Sequence, residues 1–169
     1  MVQARHASWW ASNVDFVVGL GIIGDTQGRY SVDGLMAKVR VHFGSVDEVW
    51  HVGDWQEAAV LDGLEAMGKP LFIVNGNAPD DRAYPMTVTH VREGLKVGMV
   101  HRPPRPNDAW VKGLDICIHG HAHVWRDEEV RRTRFINVAS ATGAWNTSNR
   151  TMGILTLARG RAELAKIKL

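Results

Sequence analysis

Cysteine is all but missing: Cys117 is the single thiol in a chain of 169 residues. That excludes an internal disulfide and a thiolate-rich structural zinc site, and it suits a reducing compartment. Long apolar runs are missing too. None approaches the ~20 residues that cross a bilayer, and the stretch Met1 to Asn13 has neither an apolar core nor a cleavage pattern of a leader. The expectation is a soluble, cytoplasmic protein with no membrane contact. Charge of one sign is scarce: 20 Lys and Arg face 18 Asp and Glu, a formal net charge of +2. The isoelectric point of about 8.9 leans basic, yet the strong cationic footprint of a duplex-binding protein is absent, which argues against nucleic acid as the partner. Repeats, low-complexity tracts and linkers are also lacking. What remains is 45% hydrophobic and 22% charged residues, the composition of one globular domain large enough to bury a sizeable core. Residues 1–14 show no period and read as an N-terminal extension, with residues 15–169 as the domain.

Within that domain the first half alternates. Phe16 to Ile23 is continuously apolar and reads as a buried strand. Ser31 to Phe43 carries Val32, Leu35, Met36, Val39 and Phe43 at helical spacing, with Ser31 as N-cap. Glu48 to Val52 reads as a strand, Gln56 to Met67 as a helix stopped by Gly68, and Pro70 to Asn75 as a strand. Strand–helix–strand–helix–strand predicts a parallel unit with right-handed crossovers. The second half is strand-rich: 87–90, 96–101, 115–119, 124–130, 133–138, 152–157 and 162–167, with one short helical piece near 106–112. The predicted fold is α/β, with the two halves of the chain forming two sheets of one domain packed together and helices outside.

Polar residues gather where the apolar strands end. Gly24-Asp25-Thr26-Gln27 follows the first strand, Gly53-Asp54 the second and Gly76-Asn77 the third. His101 follows Val97 to Val100, and Gly120-His121-Ala122-His123 follows Ile116 to His119. In open α/β sheets, sites form beyond the carboxyl ends of strands. Glycine before Asp25, Asp54, Asn77 and His121 predicts a sharp turn, often at positive φ, that aims the side chain over the edge. Carboxylates, carboxamides and imidazoles suit a mixed nitrogen and oxygen metal site. Taken singly, Asp25 and Asp54 could instead cap the helices that follow them, and His101 could be an ordinary histidine. His51 reads as packing or a hydrogen-bond partner, His119 as facing away or as support. Trp55, beside Asp54, reads as core or as a pocket wall. Cys117 reads as inert core.

These strand ends, in this order, resemble the calcineurin-like metallophosphoesterase superfamily, whose pattern is D-x-H, GD, GN-x-[DH], a lone H, then GH-x-H. Size, and the segment Ile136-Asn137-Val138-Ala139-Ser140, make the small bacterial phosphodiesterases of the YfcE type the nearest likeness. The resemblance implies a four-layer αββα sandwich of two mixed β-sheets flanked by helices. It implies two divalent ions, Mn²⁺ first, with Zn²⁺, Fe²⁺ or Ni²⁺ as alternatives. Asp25, Gln27, Asp54 and His123 would hold one ion; Asp54 as the bridge, Asn77, His101 and His121 the other. A hydroxide between the ions would attack phosphorus in a small phosphate ester, with Asn77, His101 and Asp54 as catalytic residues. Asn77 would also orient the substrate, with Arg29, Arg102 and Arg105 as phosphate-binding candidates. Two departures stand out. Gln27 occupies a histidine position and predicts a weaker first site. Ala78-Pro79 follows Asn77 where many relatives place a proton donor, leaving Asp80, Asp81 or His119 as substitutes. Both departures favour an alternative, a scaffold on the same fold such as the retromer subunit Vps29. A homo-oligomer is left open.

Overall fold

The computed structural model describes residues 17–28, 30–78, 83–143 and 150–169; the expected extension, residues 1–14, lies outside them. Among the described residues, ten strands and two α-helices follow one another as β1 (Val18–Ile23), α1 (Val32–Phe43), β2 (Glu48–His51), α2 (Ala58–Glu65), β3 (Leu71–Ile73), β4 (Thr87–Arg92), β5 (Leu95–Val100), β6 (Ile116–His119), β7 (Trp125–Val130), β8 (Thr133–Val138), β9 (Thr151–Ala158) and β10 (Arg161–Lys168). They form two five-stranded mixed sheets, ordered β10-β9-β1-β2-β3 and β4-β5-β6-β8-β7. No helix among the described residues is long and apolar enough to cross a membrane.

Strand alternation divides the core. Leu20, Ile22, Trp50 and Val52 point between the sheets, where they meet Met99, Ile118 and their neighbours from the second sheet. Ile23 and Val49 point the other way, under Leu35, Val39 and Phe43 of α1 and Val60 and Leu64 of α2. Gly21 is what lets α1 lie so close: a Cβ there would stand 2.7 Å from the Phe43 ring. On the outer face of the second sheet, Val111 and Leu114 cover Cys117 and Phe135, so the fourth layer is thin, built around a 3-10 turn at Val111–Gly113. That turn is what becomes of the helical piece expected near 106–112.

Two other expectations change. Ser31 caps α1 as predicted, accepting a bond from the Gly34 amide at 3.1 Å, and Gly68 ends the second helical region at φ +67°. The second helix, however, begins at Ala58 rather than Gln56. Gln56 is diverted: its carboxamide oxygen accepts from the Gly28 amide at 2.9 Å. The larger change is topological. The second half does not keep to its own sheet. β9 returns to pair antiparallel with β1, with β10 outside it, while β5, β6 and β8 run parallel in the second sheet.

Candidate metal centre

The carboxyl ends of β1, β2, β3, β5 and β6 meet at one rim, tied across both sheets. In the first sheet, the Asp25 amide donates to Gly53 O at 3.1 Å and the Thr26 amide to Asp54 O at 2.9 Å. In the second, the Gly120 amide donates to His101 O at 2.9 Å. The two rims are joined by His101, whose Nδ1–H donates to Val52 O at 2.8 Å, and by the His121 amide, 3.1 Å from Asp25 Oδ2.

Glycine acts differently from expectation here. Only Gly53 of the four is at positive φ, +94°. Gly24, Gly76 and Gly120 instead give room: a Cβ would stand 2.0 Å from Val52 Cγ2 at Gly24, 1.9 Å from Asp54 Oδ1 at Gly76, and 2.9 Å from Asp25 Oδ2 at Gly120. The left-handed backbone falls on the polar residues themselves. Asp25, Asp54, His121 and His123 lie at φ of 49°, 56°, 67° and 52°. Non-glycine residues held there cost on the order of 1–3 kcal/mol each and persist only where surrounding contacts over-determine them. Among the described residues, four of the eight non-glycine residues at positive φ therefore lie on this rim, the others being Glu93, Arg131, Ala139 and Arg159.

Those residues converge. Asp25, Asp54 and His101 offer ligand-type atoms all within 4.8 Å of one another. On one side His123 Nε2 is 3.3 Å from Asp25 Oδ1, and Gln27 Nε2 is 3.3 Å from His123 Nε2. On the other, His101 Nε2 is 2.9 Å from Asn77 Oδ1. Asp54 Oδ2 is common to both, 3.4 Å from Gln27 Nε2 and 3.4 Å from His101 Nε2. His121 lies beside His101, ring centroids 5.2 Å apart. Because His101 Nδ1 already donates to Val52, its Nε2 faces two oxygen acceptors. That arrangement is met by a proton on Nε2, by a metal ion, or by a half-turn of the Asn77 carboxamide that brings its NH₂ group to Nε2.

The electrostatics agree. Burial works to raise the Asp54 pKa, but His101 and the Ala78 and Asn77 amides outweigh it and lower it to about 2. Those amides reach Asp54 Oδ1 at 2.8 and 2.6 Å. Burial works to lower the His101 pKa, yet Asp54 and the Val52 carbonyl raise it overall. Burial, with His101 and Arg102 nearby, lowers that of His121, which keeps its lone pair available. His51 and His119 are supports. Burial brings His51 down to about 3; it accepts from the Gly53 amide at 3.1 Å and meets Thr26 Oγ1 at 3.3 Å. Burial brings His119 down to about 4. Its ring spans Gly120 O and Arg126 Nη1 at 3.1 and 3.2 Å, so it is not free to protonate a leaving group.

Of the other candidates, Arg102 and Arg105 are exposed, and Arg29, Pro79, Asp80 and Asp81 lie outside the described residues. Trp55 is 2% exposed and packs in the core beneath the helices, edge-on to Tyr84 at 5.9 Å. It is not a pocket wall. Sequence reasoning assigned no role to the hydroxyls after β8. Ser140 Oγ donates to Asp25 O at 2.7 Å and Thr142 Oγ1 to Gln27 O at 2.6 Å. Their place after one more strand ending on the same rim was the available signal.

The comparisons with known proteins agree with this architecture. The description of the calcineurin-like phosphoesterase superfamily domain matches residues 19–160, and the chain belongs to that superfamily. A protein of Methanocaldococcus jannaschii described as a probable metallophosphoesterase is 25% identical over 153 residues, 83% of this chain and 76% of that one. Among solved structures, a novel archaeal phosphodiesterase superposes with a TM-score of 0.71 at 22% identity, covering 90% of this chain and all (100%) of that one. Vacuolar protein sorting 29 of Cryptosporidium parvum superposes at 0.70 with 21% identity, covering 92% and 99%.

Proposed function

We propose that this chain is a metal-dependent phosphoesterase, a phosphodiesterase on small substrates, with two divalent ions held at the rim between the sheets. The convergence of Asp25, Asp54 and His101 within 4.8 Å carries the reading. Asp25, Gln27, Asp54 and His123 would hold one ion, and Asp54, Asn77, His101 and His121 the other. The donor set fits: oxygens and imidazoles without thiolate favour Mn²⁺, with Zn²⁺, Fe²⁺ or Ni²⁺ also accommodated. Gln27 fits as well. Its Oε1 is buried with no hydrogen-bond partner, and a half-turn of the carboxamide brings that oxygen to where Nε2 now faces Asp54 and His123.

Bound ions would supply charge for the phosphate oxygens and a water of lowered pKa as nucleophile. The chain's own groups do the rest. Asp54 is ionised at any working pH. Asn77 would turn its carboxamide oxygen to the ion it shares with His101, leaving its amide hydrogens for a phosphate oxygen. Arg102, exposed beside His101, offers a guanidinium to the ester, as Arg29 and Arg105 do on this reading. Ala78 follows Asn77 without a proton to give. General acid help is worth ~10²–10⁴ in rate, so good leaving groups are preferred.

Chelator-treated protein is expected to lose hydrolysis of bis(p-nitrophenyl) phosphate and to regain it with Mn²⁺. Metal-loaded protein inert toward a panel of mono- and diesters would end the enzymatic reading. Gln27→His exchanges a weak donor for imidazole. It is expected to tighten one of two Mn²⁺ binding events by about tenfold, roughly 1.4 kcal/mol, read by titration calorimetry. Unchanged binding and unchanged activity together would remove Gln27 from the ligand set.

The competing reading is a scaffold of the Vps29 kind, favoured by Gln27 and Ala78. A scaffold needs a contiguous apolar docking patch. Among the described residues, the large apolar side chains exposed to solvent are Val17, Val41, Met86, Val91 and Val124.

A further inference from the structure

Two buried hydroxyls behind the rim have no part in the donor set, yet each holds a piece of it. Ser140 is fully buried and Thr142 is 5% exposed. Ser140 Oγ lies 2.7 Å from Asp25 O. Thr142 Oγ1 lies 2.6 Å from Gln27 O and 3.2 Å from Asp25 O. A hydroxyl has one proton to give, and the shorter contact takes it. Ser140 therefore serves the Asp25 carbonyl and Thr142 the Gln27 carbonyl. Ser140 Oγ in turn accepts from the Gly143 amide at 3.0 Å and the Thr142 amide at 3.3 Å, so the two side chains form one clasp.

The loop they hold is strained, with Asp25 at φ 49°. Between Asp25 and Gln27 the main chain is also tied to the end of β2, the Asp25 amide donating to Gly53 O and the Thr26 amide to Asp54 O. Thr142 holds the carbonyl of the Gln27–Gly28 peptide, whose amide is held by Gln56 Oε1 at 2.9 Å. Among the described residues, the hydrogen bonds of the clasp given above run to Asp25, Gln27 and Gly143.

We propose that Ser140 and Thr142 are positioning residues that set the affinity of one ion position, that of Asp25, Gln27 and His123, and leave the other alone. Gln27 is a weak donor, so its orientation must be supplied by the protein around it, and Thr142 supplies it from the carbonyl side of its peptide while Gln56 holds the amide side. The proposal rests on the metal-dependent reading above. Outer partners of metal-binding side chains are typically worth 10–100-fold in affinity.

The test is Mn²⁺ titration calorimetry on chelator-stripped full chain, comparing wild type, Thr142→Val and Thr142→Ser, with thermal unfolding of each metal-free protein. Thr142→Val removes the hydroxyl at constant shape. It is expected to weaken one of two binding events by about 10–100-fold, the other changing by less than about twofold, and Thr142→Ser is expected to restore wild-type binding. Ser140→Ala carries the same expectation through Asp25 and serves if Thr142→Val does not fold. Two wild-type events left unchanged in Thr142→Val would overturn the proposal while sparing the metal reading. So would equal weakening of both events that follows a drop in metal-free melting temperature and is not rescued by Ser. A wild-type protein that takes up no Mn²⁺ would overturn the metal reading, and this proposal with it.

Discussion

Asp54→Asn is expected to abolish phosphodiester hydrolysis and to weaken binding of both ions by more than about 100-fold, beyond the usual cost of losing an outer partner. Asp54 Oδ2 is the one oxygen facing both halves of the site, Gln27 on one side and His101 on the other. Asparagine keeps an oxygen for the Asn77 and Ala78 amides but removes the charge. Metal-free protein gives a second readout. The Asp54 carboxyl sits at about 2 against an ordinary 3.8. Its stabilising contribution is therefore complete above pH ~4 and disappears as pH falls through ~2, on the order of 2 kcal/mol. Urea melts should show wild type losing its advantage over Asp54→Asn across that acid window. An unchanged difference down to pH 2 would mean that Asp54 is not held by the contacts described, and retained hydrolysis would remove it from the site.

Gly76→Ala should be the most damaging single methyl in the chain. The added carbon would lie 1.9 Å from Asp54 Oδ1 and 2.3 Å from the Asp54 amide nitrogen. Backbone cannot rotate away as a flexible side chain can, so either β3's end or the Asp54 turn must move. Overpacking of this kind costs about 3 kcal/mol or more, measurable as a fall in urea midpoint. Metal binding should fall with it, because the displaced atoms are those of Asp54 itself. Gly28→Ala is the contrast, since nothing lies within 4 Å of that position; its φ of +107° leaves only backbone strain. Equal midpoints for the two variants would refute the close-approach argument.

Much of the site was legible because its signals are local. An apolar run that stops at Gly24-Asp25, Gly53-Asp54 or Gly76-Asn77 announces a strand end with a polar residue on it, and several such ends on parallel strands must share an edge. Helix α1 was legible for the same reason, through Ser31 and the spacing of Leu35, Met36, Val39 and Phe43. Less legible was anything decided by a residue far along the chain. The start of α2 moved because Gln56 was claimed by the Gly28 amide, and Trp55 was buried because the helices closed over it. His119 could not be told from a proton donor until its two ring nitrogens were seen engaged by Gly120 and Arg126.

The residue types at the strand ends, the alternation that divides each strand between two cores, and the missing proton donor after Asn77 were determined by the sequence alone. Period and composition act within a few residues, so they can be read along the chain. Tertiary structure decided that β9 and β10 return to the first sheet, that the glycines at three of the strand ends provide room rather than turning freedom, and that Ser140 and Thr142 hold Asp25 and Gln27 from more than a hundred residues away (sequence separations of 115). Strand pairing and closest approach depend on what faces a residue across the core. Nothing in a local pattern names that partner.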